Sequence, residues 1–252
     1  MAFAKKVGYD AIEIAPFTIA NDVTEISAKA RKEIQQTAER IGIEISGIHW
    51  VLVQTEGLHL THADAAIRER TSEYFSALVD FCADIGGKIL VVGSPKQRNV
   101  MAGVSQEQAW NFATEIFREP VMRAEQRAVT ICFEPLAPSE TNFINTAEEA
   151  IRFTQQLNTP HFKIILDVKA MSSEGKPIAQ IIRESSPHFV YFHANDENLK
   201  GPGFGEVDFK PIAAALKEVG YKGYVSVEVF KFEEGAELIA TRSLEYLRKA
   251  FG

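Results

Sequence analysis

The sequence predicts one α/β domain built on a parallel sheet, and three observations lead to that prediction. The chain has 252 residues, close to the roughly 250 of a single α/β barrel, so one domain over 1–252 is favoured. Short apolar runs alternate with segments of helical periodicity, which is typical of parallel sheets with right-handed crossovers. No linker or charge block divides the chain. Alternation alone fits either a doubly wound sheet or a closed barrel.

Seven runs rich in β-branched and apolar residues are expected to be buried strands. In chain order they are Ala11–Ala15, Glu44–Val51, Lys88–Val92, Val129–Glu134, Lys163–Val168, Phe189–His193 and Tyr224–Val229. Between them, apolar residues recur at the spacing of one helix face. The predicted helices are Ala2–Val7, Ala65–Ile85, Gln106–Arg127, Thr146–Leu157, Pro177–Glu184, Pro211–Val219 and Gly235–Ala250.

Residues typical of helix ends support this division in the same order. Gly86 and Gly220 each stand where a helix must stop before the next strand. Ser105 and Thr146 stand at the starts of two other helices, each with glutamate following. A barrel of eight strand–helix units would open on a strand, whereas this chain opens on the helix-like Ala2–Val7. We therefore expect either a sequence that begins downstream of a first strand or a sheet left open at one edge.

Composition excludes several function classes. The net charge of −7 and the lack of a basic run argue against nucleic-acid binding. No segment approaches the roughly 20 apolar residues that span a bilayer, and no signal-peptide core follows the first lysines. Cys82 and Cys132 each lie in an apolar run, which favours two buried reduced thiols over a disulfide. The expected location is the cytoplasm.

Four chemically active residues end four different predicted strands: Glu134, Asp167, His193 and Glu228. The carboxyl ends of barrel strands form the active-site face. A single such carboxylate is commonly a helix cap, and a single such histidine is commonly a core residue. Three carboxylates at one rim, however, would repel one another without a cation. Oxygen and imidazole donors without thiolate suit one six-coordinate divalent ion such as Mn²⁺, Mg²⁺ or Co²⁺ better than a structural zinc site. The expected cofactor is one divalent ion, Mn²⁺ first, with Mg²⁺, Co²⁺ or Zn²⁺ as alternatives.

These residues lie within an ordered set of motifs that resembles the xylose isomerase-like barrel superfamily, particularly its ketose 3-epimerase and hydroxypyruvate isomerase-like branch. The motifs are Phe133-Glu-Pro-Leu-Ala-Pro-Ser-Glu140, Leu166-Asp-Val-Lys-Ala-Met, Phe192-His-Ala-Asn-Asp196, Gly201-Pro-Gly-Phe-Gly-Glu-Val-Asp-Phe209 and Gly223-Tyr-Val-Ser-Val-Glu228. The resemblance covers nearly the whole chain. It implies a (β/α)8 TIM barrel of the xylose isomerase-like type, with the first strand missing from this chain.

The resemblance also implies roles for individual residues. Glu134, Asp167, His193 and Glu228 match the metal ligands, and Glu134 and Glu228 match the catalytic acid/base pair. In such epimerases one glutamate removes the proton alpha to a carbonyl, a cis-enediolate forms, and the other glutamate returns a proton to the opposite face. Glu140 matches a glutamate that supports the site.

Two departures from the family's pattern concern substrate contacts. Ala170 stands where ketose epimerases usually have histidine, and Leu199, followed by Lys200, stands where they usually have arginine. Lys169 or Lys200 could replace the lost contacts. The departures point away from an ordinary ketose, toward another polyol, an inosose, a sugar acid or a keto-glycoside.

Further polar residues are candidates for substrate binding. His49 and Trp50 follow the second strand, where imidazole could bind a sugar oxygen and indole could stack on the sugar; simple packing is the alternative. Lys96 and Arg98 lie in Gly93–Arg98 after the third strand, which could bind phosphate or carboxylate or could be a surface turn. The predicted substrate-binding residues are His49, Trp50, Lys96, Glu140 and Lys200.

The sequence therefore predicts a metal-dependent sugar isomerase or epimerase. Two alternatives stay open: a lyase or dehydratase acting on an inosose, keto-sugar or keto-glycoside, and a catalytically silent sugar-binding barrel. An endonuclease with several metals is disfavoured by the acidic charge and the few strand-end ligands. The expected partner is a small sugar or polyol, without nucleic acid or membrane; a homo-oligomer is open by analogy with similar barrels.

Overall fold

A computed structural model describes all 252 residues and shows seven parallel strands in the spatial order of the sequence. The strands are β1 (Ala11–Ile14), β2 (Glu44–Ile48), β3 (Ile89–Val92), β4 (Thr130–Phe133), β5 (Phe162–Asp167), β6 (Phe189–Ala194) and β7 (Val225–Val227). Each strand pairs with the next one. The sheet curls into a nearly closed barrel, so the predicted α/β barrel is confirmed.

Nine helices connect and cover the strands. They are α1 (Ala2–Val7), α2 (Ala28–Ile41), α3 (Ala65–Asp84), α4 (Gln106–Arg127), α5 (Ala147–Gln155), α6 (Val168–Ser172), α7 (Ile178–Ser185), α8 (Phe209–Glu218) and α9 (Ala236–Phe251). The predicted starts of α4 and α5 are confirmed, because Ser105 and Thr146 each accept a hydrogen bond from the third helical N–H in a capping box.

Three elements differ most from the expectation: the end of β2 and the two helices α2 and α6. The second strand ends at Ile48 instead of Val51, because the chain turns away at Trp50, whose φ is +52°. The helix α2 is not among those predicted from the sequence. A signal for it was present, because Ala30, Ile34, Ala38 and Ile41 recur on one helix face and pack on the core. Its limits are set by the Ser27 cap and by Gly42 at φ +75°. The helix α6, also not predicted, is a short helix of five residues that Asp167 caps.

The main core lies between the sheet and the helices. A group of packed aromatic rings occupies its centre, formed by Phe75, Phe117, Phe133, Phe153 and Phe162. A smaller cluster of Val91, Cys132, Ile165 and Tyr191 lies apart from it. Cys82 and Cys132 are both buried and free, as expected. No helix is long and apolar enough to cross a membrane.

The barrel has one open seam, between β1 and β7, which do not pair. Beside this seam, two side-chain hydrogen bonds join the residues before β1 to α9: the Tyr9 hydroxyl donates to the Ala240 carbonyl at 2.8 Å, and Arg248 donates to the Gly8 carbonyl at 2.7 Å. A mostly apolar cavity of about 340 Å³ lies along the seam and reaches Glu13 and His49. The expectation of a sheet open at one edge is met.

Candidate metal centre and active site

The structure brings together the four residues predicted to bind a metal. Glu134 directly follows β4, Asp167 ends β5, His193 lies near the end of β6, and Glu228 directly follows β7. Because all strands are parallel, these positions lie at the same rim. One donor atom from each residue lies within 4.8 Å of the others, and all four residues are buried.

Asp167 is held by the chain that follows it. Its Oδ1 accepts a hydrogen bond from the Ala170 N–H at 2.8 Å and so caps α6. Its Oδ2 accepts from the Asn195 amide at 2.5 Å, and the same amide lies 3.4 Å from Glu228. The side-chain oxygen of Asn195, Oδ1, accepts a hydrogen bond from the backbone N–H of Lys169 at 2.8 Å. Asn195 therefore orients two carboxylates. The sequence places it in a motif, but its role follows only from these contacts.

Glu228 has the most polar contacts of the four. Its Oε1 accepts a hydrogen bond from the Trp50 indole at 2.8 Å, and its Oε2 lies 3.1 Å from His193 Nδ1. His49 Nδ1 lies 3.4 Å from Oε1, a close contact without hydrogen-bond geometry. Glu228 is thus fixed on both oxygens before any ligand binds.

Glu134 is positioned through its backbone. Its carbonyl accepts from Arg98 Nη1 at 2.6 Å, and its N–H donates to the Val92 carbonyl at 3.2 Å. Its side chain packs so closely on Gly93 that a Cβ there would overlap the carboxylate. No protein group donates to the carboxylate oxygens, which leaves them free to act on a ligand.

Glu13, in β1, is a member of this cluster that sequence reasoning missed. Its carboxylate oxygens lie 3.2 and 3.1 Å from His193 Nε2, and one of them accepts from the Ser226 hydroxyl at 2.5 Å. A signal was present: a charged residue in the middle of the short apolar run Ala11–Ile14 needs a buried partner.

Without a cation, the charges of the cluster conflict. Burial, together with the negative charges of Glu228 and Asp167, raises the pKa of Glu134 well above its ordinary value. Burial, with Glu228, also raises the pKa of Asp167 to about 6. Burial disfavours charge on His193, but Glu13 and Glu228 outweigh it and raise the imidazole pKa well above its usual value. Without a cation, protonation of Glu134, Asp167 and His193 is therefore favoured and offsets the negative charge of the cluster. A bound divalent cation would neutralise the same charge.

The donor set fits such a cation. Three carboxylates and one imidazole within reach of a common centre are ligands of divalent ions that prefer oxygen and nitrogen. Glu134, Asp167, His193 and Glu228 would hold the ion. Four protein ligands would leave coordination positions open for two oxygens of a substrate.

An aromatic wall borders the cluster on one side. Phe17 and Phe230 each stack on Trp50, with ring centroids 6.0 and 5.9 Å away. His49 lies beside this wall, with its ring centroid 5.7 Å from that of Trp50 and 5.9 Å from that of His193. His49 and Trp50 therefore both lie at the cluster. The indole N–H of Trp50 is already engaged by Glu228.

Glu140 and Lys169 form a pair near the cluster. Lys169 Nζ donates to Glu140 Oε1 at 2.7 Å and lies 4.3 Å from the centre of the Phe230 ring. Although burial opposes its charge, Glu140 and Asp167 raise the pKa of Lys169. The second oxygen of Glu140 is buried and lacks a hydrogen-bond partner. Glu140, one of the predicted substrate-binding residues, therefore has a buried carboxylate oxygen that can still accept a hydrogen bond.

The other positively charged residues singled out from the sequence make no hydrogen bond to the four side chains of the cluster. Lys200 is half-buried and pairs with Glu234. Lys96 is exposed and makes no hydrogen bond or ion pair within the protein. Arg98 is fully buried, and its guanidinium donates to the carbonyls of Val92, Ser94 and Glu134. Arg98 is therefore not exposed to a ligand as Lys96 is, because it is enclosed among the backbone carbonyls that accept its hydrogen bonds.

The fold and these four side chains define a (β/α)-barrel protein with a cluster of three carboxylates and one imidazole that could hold a divalent cation at the carboxyl ends of its strands. A sequence model of the xylose isomerase-like TIM barrel family matches residues 1–250. The chain belongs to this family.

Several relatives are sugar epimerases. A D-psicose 3-epimerase of Ruminiclostridium cellulolyticum is 28% identical over 232 residues, covering 89% of this chain and 75% of the relative. A 3-dehydro-D-guloside 4-epimerase of Escherichia coli is 23% identical over 233 residues, covering 90% of this chain and 84% of the relative. A crystal structure of a D-psicose 3-epimerase in the presence of D-fructose superposes with a TM-score of 0.86 at 23% identity, covering 99% of this chain and 92% of the other.

Proposed function

We propose that the protein is a metal-dependent sugar epimerase or isomerase that transfers a proton alpha to a carbonyl. The observation that carries the proposal is the convergence of Glu134, Asp167, His193 and Glu228 within 4.8 Å at the barrel rim. Curated relatives that match at 22–28% identity over most of the chain, among them psicose, ribulose and guloside epimerases, support it.

The two glutamates differ in their surroundings when no ion is bound. The Glu134 carboxylate has no donor from the protein and a raised pKa, because burial and its carboxylate neighbours disfavour its charge. Burial also opposes charge on Glu228, but His193 outweighs it and lowers the pKa of Glu228 well below its ordinary value. In the ion-free chain, burial and its carboxylate neighbours therefore favour the protonated form of Glu134, whereas His193 favours the charged form of Glu228, so the two carboxylates are not equivalent before an ion binds.

In the proposed reaction, Glu228 removes the proton alpha to the substrate carbonyl and Glu134 returns a proton to the opposite face, or the reverse for the reverse substrate. A divalent ion bound by the four residues would polarise the carbonyl and stabilise the negative charge that develops on the substrate oxygens. Trp50 and Asn195 keep Glu228 in a fixed orientation during both steps.

Substrate contacts are proposed from the same rim. Glu140 offers its free oxygen to a hydroxyl group, and Lys169, which is paired with Glu140 and precedes Ala170 in the chain, offers a half-buried cation. His49, whose Nδ1 has no hydrogen-bond partner, and Trp50 border the aromatic wall. Lys200 and Lys96 remain candidates for binding the part of the substrate that lies farthest from the four-residue cluster. With Ala170 and Leu199 in place of the family's usual residues, we propose a substrate other than an ordinary ketose.

The test is incorporation of solvent deuterium, followed by mass spectrometry, with Mn²⁺ supplied and ketoses, inososes and keto-glycosides as substrates. Exchange without a change in product composition supports epimerisation; loss of water or of an aglycone identifies a lyase instead. Glu228→Gln should abolish exchange, whereas Glu119→Gln, at an exposed position on α4, should not. A protein that binds the metal but exchanges no substrate proton would be a silent sugar-binding barrel.

Three finer statements belong to this proposal. Mn²⁺ is the proposed ion because mixed carboxylate and imidazole ligands with open positions suit it. A homo-oligomer and a cytoplasmic location are likewise proposed, from similar barrels and from the free, buried cysteines respectively. Metal analysis of the purified protein and its sedimentation behaviour would test the first two.

A further inference from the structure

Glu13 is a buried carboxylate that the proposed reaction does not use. Its side chain is 5% exposed, and it lies between Ile12 and Ile14 on β1. Removing an ionised carboxylate from water costs several kcal/mol unless its hydrogen bonds are satisfied. Glu13 is not one of the four residues that converge on the proposed cation, so its burial needs another explanation.

The contacts of Glu13 supply that explanation. Both of its oxygens lie within 3.2 Å of His193 Nε2, and the Ser226 hydroxyl donates to one of them. A carboxylate can only accept, so Nε2 must carry a hydrogen in this pair. The other nitrogen, Nδ1, lies 3.1 Å from Glu228 Oε2 and is therefore the atom that points into the four-residue cluster. Without an ion it too donates to a carboxylate, and an ion bound in the cluster would take the place of that hydrogen.

We propose that Glu13 is a positioning residue for the cation site: it keeps the hydrogen of His193 on Nε2 and presents the lone pair of Nδ1 to the ion. Ligating histidines commonly donate their second ring nitrogen to a carboxylate in this way, which fixes the tautomer and raises the basicity of the ligand. The inference rests on the cation site of the proposed function, although not on the reaction or the substrate.

Glu13 has a second consequence, because it lies across the open seam of the barrel. It starts on β1 and contacts Ser226 on β7 and His193 on β6, although β1 and β7 share no backbone hydrogen bonds. A purely structural role would be to hold the seam together through these contacts. The two roles predict different results when Glu13 and Ser226 are changed separately.

The experiment measures Mn²⁺ affinity of the metal-stripped full chain by the loss of the free-ion paramagnetic resonance signal. Glu13→Gln should weaken binding about 10-fold to 100-fold, because a neutral amide holds the imidazole less firmly and can also favour the wrong tautomer. Ser226→Ala is the matched control. It removes a seam contact of Glu13 but leaves the bond to His193, so its Mn²⁺ affinity should stay within about two-fold of wild type.

Glu13→Asp keeps the charge but withdraws it from His193, and we expect an intermediate loss of affinity. This variant also carries the test if Glu13→Gln does not fold, as judged by circular dichroism. Unchanged affinity in the folded Glu13 variants, or an equal loss in Ser226→Ala, would overturn the positioning role. A wild-type chain that binds no Mn²⁺ would instead refute the cation site itself. Binding without any epimerisation would refute the proposed reaction alone.

Discussion

Glu134→Gln tests whether the carboxylate cluster is destabilised without metal and stabilised with it. The carboxylate receives no hydrogen bond from the protein, so the amide loses no partner there. Burial and its neighbours raise the pKa of Glu134 in the folded chain. Because a raised carboxyl pKa favours the protonated form, the folded chain loses stability as pH rises above about 4.3, the unfolded value. Glutamine removes this loss.

The magnitude with metal follows from linkage. A ligand at 100 times its dissociation constant stabilises the folded state by about 2.7 kcal/mol. For a chain of 252 residues, one kcal/mol shifts the melting temperature by roughly 2–4 °C. Mn²⁺ should therefore raise the melting temperature of the wild-type protein by about 5–10 °C. Glu134→Gln should lose most of this shift, since it removes one of the four ligands.

The assay is scanning calorimetry of the chelator-treated protein at pH 6 and pH 8, with and without Mn²⁺. We expect the metal-free variant to be at least as stable as wild type at pH 8, with a larger advantage than at pH 6. A full Mn²⁺ shift in Glu134→Gln, or a metal-free variant clearly less stable than wild type at pH 8, would refute the argument from crowded carboxylates.

Three further predictions concern single residues. Arg98→Met should lower the free energy of unfolding in urea by about 3 kcal/mol, because buried carbonyls lose charged donors; Lys96→Met, at an exposed position, should leave it unchanged. Gly93→Ala should abolish the Mn²⁺-induced rise in melting temperature, since the added methyl overlaps the Glu134 carboxylate; a retained rise would contradict that packing. Burial raises the pKa of Glu174 to about 7, so Glu174→Gln should stabilise the protein by about 1 kcal/mol at pH 8, after allowance for the solvent exposure of Glu174. The stability advantage of the variant should disappear below about pH 4.5. A difference in urea unfolding that does not change with pH would exclude this cause.

The sequence predicts most of the strands and the four strand-end ligands, because both depend on local pattern. Short apolar runs that alternate with helical segments indicate parallel strands, and the carboxyl ends of parallel strands lie at the same rim. Glu134, Asp167, His193 and Glu228 can therefore be placed together from the sequence alone. The helix caps at Ser105 and Thr146 follow from short-range hydrogen bonding and are equally accessible.

The supporting contacts could not be predicted, because they join residues far apart in the chain. Glu13 meets His193 across 180 residues, and which β1 side chain faces inward depends on strand register. Arg98 resembles a surface cation beside Lys96 in the sequence, but the loop turns its guanidinium onto the carbonyls of three residues instead.

The open seam has a consequence for how the molecule is made. The ring nitrogens of His193 contact Glu13, on β1, and Glu228, directly after β7. Contacts between residues so distant in sequence form only after much of the chain has been ordered. During synthesis, the cation pocket therefore stays incomplete until residue 228 has left the ribosome, and Mn²⁺ uptake would report that the last four strands have come together.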